Sequence, residues 1–172
     1  HAAAVWAAGR IFQTGGRPGY VNDGPTGASP VSGAVFSFDP AAPAAGWRVE
    51  PPLIRPRWLH AMASDGRRLW VIGGVDGTGT KLSQVERLEV RDDGSPTPGG
   101  WQVDEGLPEG RSWTSAVAKD GFVHVWGGDT DVTASSDLHL VARIGANGAL
   151  GAWQSVRPPG STDTFHRIGA TA

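Results

Sequence analysis

Few residues of this chain could do chemistry, and they are widely separated. His124 and His139 could supply two imidazoles to one metal ion. A protein metal centre needs three or four ligands, and no third follows from the spacing. The two are therefore expected to be ordinary strand side chains. Asp129-Thr130-Asp131 places two carboxylates at alternate positions, the beginning of an oxygen cage for calcium. The further Asp, Asn and Gly positions of such a loop are missing. Cysteine is absent altogether, which removes thiolate ligands, disulfides and cysteine nucleophiles. No Gly-x-Ser-x-Gly elbow is present to hold a serine nucleophile. Glu105 and Glu109 read as solvated carboxylates. Gly145-Ala146-Asn147-Gly148 reads as a turn, since no helix follows to present its amides to a phosphate. No catalytic residue, metal or cofactor is assigned.

Binding chemistry has more support than catalysis. Arg57-Trp58 and Arg111-Ser112-Trp113 pair a guanidinium with an indole, a combination enriched in binding hot spots. Tyr20, Asn22 and Asp23 lie in a Gly- and Pro-rich stretch running from Arg17 to Ser32. It is longer than its counterparts, Val75 to Gln84 and Asp129 to Ser136, and long loops on rigid scaffolds often carry function. Tyr20, the only tyrosine, would suit a polar or sugar-like ligand together with Asn22 and Asp23. The candidate ligand-binding set is thus Tyr20, Asn22, Asp23, Arg57, Trp58, Arg111 and Trp113. The competing reading is a tolerated surface insertion and two arginines that hold strands together.

The bulk numbers narrow the partners. The net charge is −2, charged residues are 19% of the chain, and there is no basic run. A nucleic-acid or anionic-membrane partner has no electrostatic basis. No stretch approaches 18 consecutive apolar residues, so no membrane span is expected in this segment. The 26 glycines and 13 prolines fall between short apolar runs, as turns between strands do.

The elements that must position these residues come from a repeat. His1 to Gly16, His60 to Gly74 and Ser115 to Gly128 each read as a small-residue strand, a tight turn, an apolar strand and a Gly pair. The turns are Ala8-Gly9, Asp65-Gly66 and Asp120-Gly121, and the pairs are Gly15-Gly16, Gly73-Gly74 and Gly127-Gly128. A third strand follows in each copy, ending near Phe38, Val90 and Ala142, and then Trp47, Trp101 or Trp153 opens a fourth. Arg57 and Arg111 each stand just before the next copy. Asp-Gly and Asn147-Gly148 favour two-residue hairpins because they tolerate positive φ. No segment carries a 3.6-residue apolar period with caps, so almost no helix is expected. A period of about 50 residues with four short strands is the signature of a propeller blade.

The Gly pair closing the second strand, the Trp opening the fourth and the Arg before the next copy together resemble the kelch repeat. His60, three residues after Arg57, fits that pattern too. The chain departs from it at Gln13, Val71 and Val125, where kelch repeats commonly hold Tyr. The resemblance implies an all-β, kelch-type β-propeller fragment: three four-stranded antiparallel blades at 1–57, 58–111 and 112–165, with the first strand of a fourth at 166–172. It also implies that Trp47, Trp101 and Trp153 pack blades together and that Arg57 and Arg111 tie strands or blades. Trp6, Trp70 and Trp126 sit on apolar strands and are expected to be core residues. Three blades do not close a ring. The expectation is therefore a piece of a longer protein, or copies of the chain that associate, so that further blades complete the structure. Many bacterial kelch-type proteins are exported, so an extracytoplasmic location is expected. The expected function is a non-catalytic binding or scaffolding module for a protein or glycan ligand. A carbohydrate-active enzyme completed by further blades and a structural subunit of a larger assembly are the alternatives. Kelch-type copper oxidases need a Cys-crosslinked Tyr and are excluded for these residues.

Overall fold

A computed structural model of the chain describes residues 1–17, 30–132 and 138–156. Twelve strands form three four-stranded antiparallel sheets, and the only helical element described is a single 3-10 turn at Pro43–Ala45. Sheet I holds β1 (Ala3–Ala7), β2 (Arg10–Thr14), β3 (Val35–Phe38) and β4 (Trp47–Glu50). Sheet II holds β5 (Ala61–Ser64), β6 (Arg68–Ile72), β7 (Val85–Glu89) and β8 (Gln102–Asp104). Sheet III holds β9 (Ser115–Lys119), β10 (Phe122–Trp126), β11 (His139–Arg143) and β12 (Gln154–Val156). Each is a plain meander whose strands follow one another in space as in sequence. Positions 166–172 lie outside the described residues.

The hairpins follow from local chemistry, with two departures from expectation. Ala8-Gly9 and Asp120-Gly121 have positive φ at both central residues, as a type I′ turn requires. In sheet II the turn moves on by one residue. Asp65 instead pairs with Arg68 and its carboxylate accepts from the amides of Arg67 and Arg68, leaving Gly66 (φ +93°) as the first central residue. Asn147-Gly148 is likewise not a two-residue loop. The Gly148 amide donates to Gly145 O at 2.9 Å, Gly148 takes the left-handed position, and Asn147 Oδ1 accepts from the Ala149 amide.

The three sheets stack face to face, and the alternation of side chains along each strand decides what is buried. Between sheets I and II lie Phe12, Val35 and Leu53 on one side and Met62, Leu69, Val71, Leu88 and Trp101 on the other. Between sheets II and III lie Ala61, Ala63, Trp70, Ile72 and Val85 against Val123, Val125, Leu140 and Ala142. Odd and even positions of β5 and β6 therefore serve different cores. Small residues on β1, β5 and β9 let these first strands approach, and β5 contacts both β1 and β9. Among the described residues no further sheet covers the outer faces of the stack. On sheet I, Trp6, Ile11, Phe38 and Trp47 form one cross-strand row, with Trp6 55% and Trp47 51% exposed, and Val49 beside them is 76% exposed. Trp101, at the position in sheet II corresponding to Trp47, is 6% exposed because sheet I covers it. Trp6 and Trp47 are thus not core residues within the described structure, for want of a neighbouring sheet on that side.

Two hydrogen-bonded ties repeat along the stack. The Trp101 indole donates to Pro51 O at 2.9 Å, and the Trp153 indole donates to Glu105 O at 3.0 Å, each reaching back to the exit of the preceding sheet. Arg57 O accepts from Gly16 N at 2.9 Å while its guanidinium donates to Gly73 O at 2.9 Å. Arg111 repeats this, with its carbonyl on Gly74 N at 2.8 Å and its guanidinium on Gly127 O at 2.9 Å. Each arginine therefore links one sheet to the next through their Gly pairs.

Candidate functional site

The ends of β2, β6 and β10 and the starts of β1, β5 and β9 meet at one end of the stack, because paired antiparallel strands bring Ala3 opposite Thr14, Ala61 opposite Ile72 and Ser115 opposite Trp126. The Gly pairs and the connectors carrying Arg57 and Arg111 converge there. Each of the six glycines has φ between +58° and +107°. A Cβ on Gly15 would stand 2.5 Å from Arg57 O and 2.7 Å from a His60 ring carbon, and one on Gly73 would overlap Arg111 O. Glycine at these places is what lets the connector lie against the preceding sheet.

Arg57 is fully buried. It donates to Gly73 O and Gln84 O, pairs with the buried Glu86, and Glu86 also accepts from the amides of Ile54 and Arg55. Burial pushes the Arg57 pKa down, and the Glu86 carboxylate opposes that shift. Arg111 lacks this partner, because Leu140 stands in sheet III where Glu86 stands in sheet II. It pairs with Glu109 at 2.7 Å, and its Nε is buried without a partner. Burial lowers its pKa as well, opposed by Glu109. Both guanidinium groups, singled out as candidate ligand contacts, lie inside the protein and are directed at its own carbonyls.

Trp58 and Trp113 both lie beside the His1 ring, reached from non-equivalent positions. Trp58 makes a bridge with Val75, and Ser112 makes the matching bridge with Asp129, so Trp113 corresponds to Leu59. Leu59 and Trp113 both hold positive φ, +55° and +58°, which is uncommon for such side chains. The Trp113 amide donates to Leu59 O at 3.0 Å. The His1 ring lies 4.8 Å from Trp113, edge to face, and 6.1 Å from Trp58, and Arg17 stands over Trp58 at 5.2 Å. Tyr20, Asn22 and Asp23 lie outside the described residues.

Beside His1 and Trp113 is a pocket of about 110 Å³, lined also by Ala2, Leu59, His60 and Thr114. His60 and Thr114 occupy corresponding positions, three residues after Arg57 and Arg111. They are 7% and 9% exposed, and His60 Nδ1 and Thr114 Oγ1 are buried with no hydrogen-bond partner. His60 Nε2 is 2.8 Å from Thr14 Oγ1, and the Thr14 hydroxyl donates to Met62 Sδ at 3.1 Å. Burial first, and the Arg57 charge second, lower the His60 pKa to about 3. The imidazole is therefore neutral at physiological pH. Neither His60 nor Thr114 belonged to the binding set drawn from the sequence. Projecting the Arg57–Arg111 register three residues onward would have paired them.

The other candidates do not converge here. His124 and His139 contact each other at 2.9 Å on the outer face of sheet III, stacked with Trp126. Burial and the neighbouring His124 lower the His139 pKa. Among the described residues no group of three or more His, Cys, Asp or Glu could hold a metal ion. The Asp129–Asp131 loop already holds a cation of the protein's own: Lys81 Nζ lies 3.1 Å from Asp129, 3.6 Å from Asp131 and 2.7 Å from Thr130 O. No described helix is long and apolar enough to cross a membrane. No protein-family model and no curated protein matches the chain.

Proposed function

We propose that this chain is a segment of a kelch-type β-propeller that serves as a non-catalytic binding module. Its ligand, a protein loop or a glycan, would be taken at the aromatic-rimmed mouth where the Gly pairs and the arginine connectors converge. The observation that carries this reading is the pocket itself, in which two buried polar atoms, His60 Nδ1 and Thr114 Oγ1, have no partner. Buried polar groups in proteins are almost always bonded, and those that are not call for an explanation. Trp58 and Trp113 add rigid amphipathic surface of the kind binding sites favour. The blade reading is supported by the stack of three meanders with β1, β5 and β9 adjacent and by apolar outer faces. Those faces call for further sheets, from the same protein or a second copy.

An enzyme that uses Arg57 and Arg111 has less support, because both side chains are buried and donate to the protein's own carbonyl and carboxylate oxygens. The test is a glycan array and a displayed-peptide library, each read with the unaltered protein and with Trp58→Ala and Trp113→Ala. A ligand is expected whose affinity falls about tenfold or more in a variant that melts as the unaltered protein does. Finding no ligand on either panel, or one that ignores both substitutions, would overturn the proposal.

A further inference from the structure

We infer that the pocket between His60 and Thr114 takes a neutral ligand that donates hydrogen bonds from hydroxyl groups, one edge of a hexose being the type, and that it discriminates against carboxylates. The inference rests on the binding-module reading and names the chemistry of its deepest contact.

The contacts behind the pocket assign a tautomer to His60. A thioether sulfur can only accept, and the Thr14–Met62 contact, taken as a hydrogen bond, uses the single proton of the Thr14 hydroxyl. Thr14 Oγ1 must then accept from His60, which places a proton on His60 Nε2. This tautomer follows from the bonding pattern rather than from an observed hydrogen. A neutral imidazole protonated at Nε2 carries a bare lone pair at Nδ1. That atom is buried and unpartnered. Because burial and Arg57 hold the ring neutral down to about pH 3, Nδ1 stays an acceptor. Thr114 Oγ1 can both donate and accept. The pocket thus presents one obligate acceptor and one hydroxyl.

Only a ligand with a donor completes this pair. Sugar hydroxyls donate to Nδ1 and exchange a second bond with Thr114. A carboxylate offers lone pairs alone, so it gains nothing from Nδ1 and would be drawn to the pocket only by Thr114 and the N-terminal amine. The pocket, about 110 Å³, is small, and the edge of a sugar ring is what reaches His60 and Thr114. Leu59 and Trp113 wall the pocket with apolar surface suited to the C–H face of a sugar.

The test is nitrogen-detected NMR of the histidine rings of the full chain, titrated in turn with D-glucose, D-galactose, D-mannose and acetate. His60 is expected to show the Nε2–H form, unchanged between about pH 7 and pH 5. At least one hexose should shift its ring signals saturably, and acetate should shift neither His60 nor Thr114. Thr114→Val, which keeps the side-chain shape, should weaken that hexose about tenfold without altering the melting temperature. His60 protonated at Nδ1 would overturn the inference, as would acetate binding as well as a hexose. So would three hexoses without effect to about 100 mM, which leaves a pocket filled by water alone. If a peptide still binds through Trp58 and Trp113 while every hexose fails, the binding-module reading stands and the hexose inference falls.

Discussion

Gly73 and Gly66 both have positive φ, +63° and +93°, yet only one of them is crowded. No atom lies within 4 Å of where a Cβ on Gly66 would sit, whereas one on Gly73 meets the Arg111 carbonyl. Gly66→Ala should cost about 1 kcal/mol in denaturant unfolding, the strain of the turn alone. Gly73→Ala should cost roughly 3 kcal/mol or more, because the connector between sheets II and III must also move. Equal costs would mean the close approach is unimportant. The buried arginines should differ in the same way. Arg57→Leu strands the wholly buried Glu86 and is expected to lose about 3–5 kcal/mol. Arg111→Leu should lose clearly less, since Glu109 is 41% exposed and can turn to water. His60 adds a pH signature. Its pKa is about 3 in the folded chain against 6.5 for an unperturbed histidine, so between those values the unfolded chain binds a proton that the folded chain does not. Stability is therefore full above about pH 6.5 and falls as the pH drops toward 3, at up to about 1.4 kcal/mol per pH unit from this group. Urea midpoints measured across that range, against a His60→Gln variant with a flatter profile, check the sign.

At the scale of the strand, the same tryptophan position has different weight in different sheets. Trp101 is packed between sheets I and II and donates to Pro51 O, so Trp101→Ala should cost about 3–5 kcal/mol. Trp47 rests against Phe38 at 5.2 Å with half its surface in solvent, and Trp47→Ala should cost about 1 kcal/mol in thermal unfolding of this chain. A cost for Trp47 as large as that for Trp101 would mean that a further sheet covers sheet I in solution. The strands themselves were legible: each Gly pair follows its second strand directly, and β4 begins at Trp47 while β8 and β12 begin one residue after Trp101 and Trp153. The hairpins at Gly66 and Gly148 were less so. Asx bonding by Asp65 shifts one turn by a residue and that by Asn147 accompanies a longer loop, and a dipeptide rule sees neither.

At the scale of the molecule, and among the described residues, sheet II is buried on both faces and sheets I and III on one each. Trp6, Phe38, Trp47 and Val49 on one outer face, and Phe122, Trp126 and Val156 on the other, are the kind of surface that interfaces cover. The two interior interfaces join unlike faces head to tail, so contacts of the same kind between copies would be heterologous. Concentration-dependent association is therefore expected in sedimentation of this chain, and Trp47→Lys combined with Val49→Lys should abolish it while leaving the unfolding midpoint nearly unchanged. Association that survives both substitutions would place the contact elsewhere.

Taken alone, the sequence determined the all-β class, the three-fold repetition and the order of strands within each copy. These are local properties, written in turn residues and in alternation over four or five positions. It also marked Arg57 and Arg111 as equivalent, without saying what they touch. Only the tertiary structure decided that their guanidinium groups point inward to Gly73 and Gly127, that Glu86 answers one and Glu109 the other, and that His60 and Thr114 share a pocket. Those outcomes depend on how three sheets stack, and a partner 29 or 54 positions away leaves no mark in the local pattern of either residue.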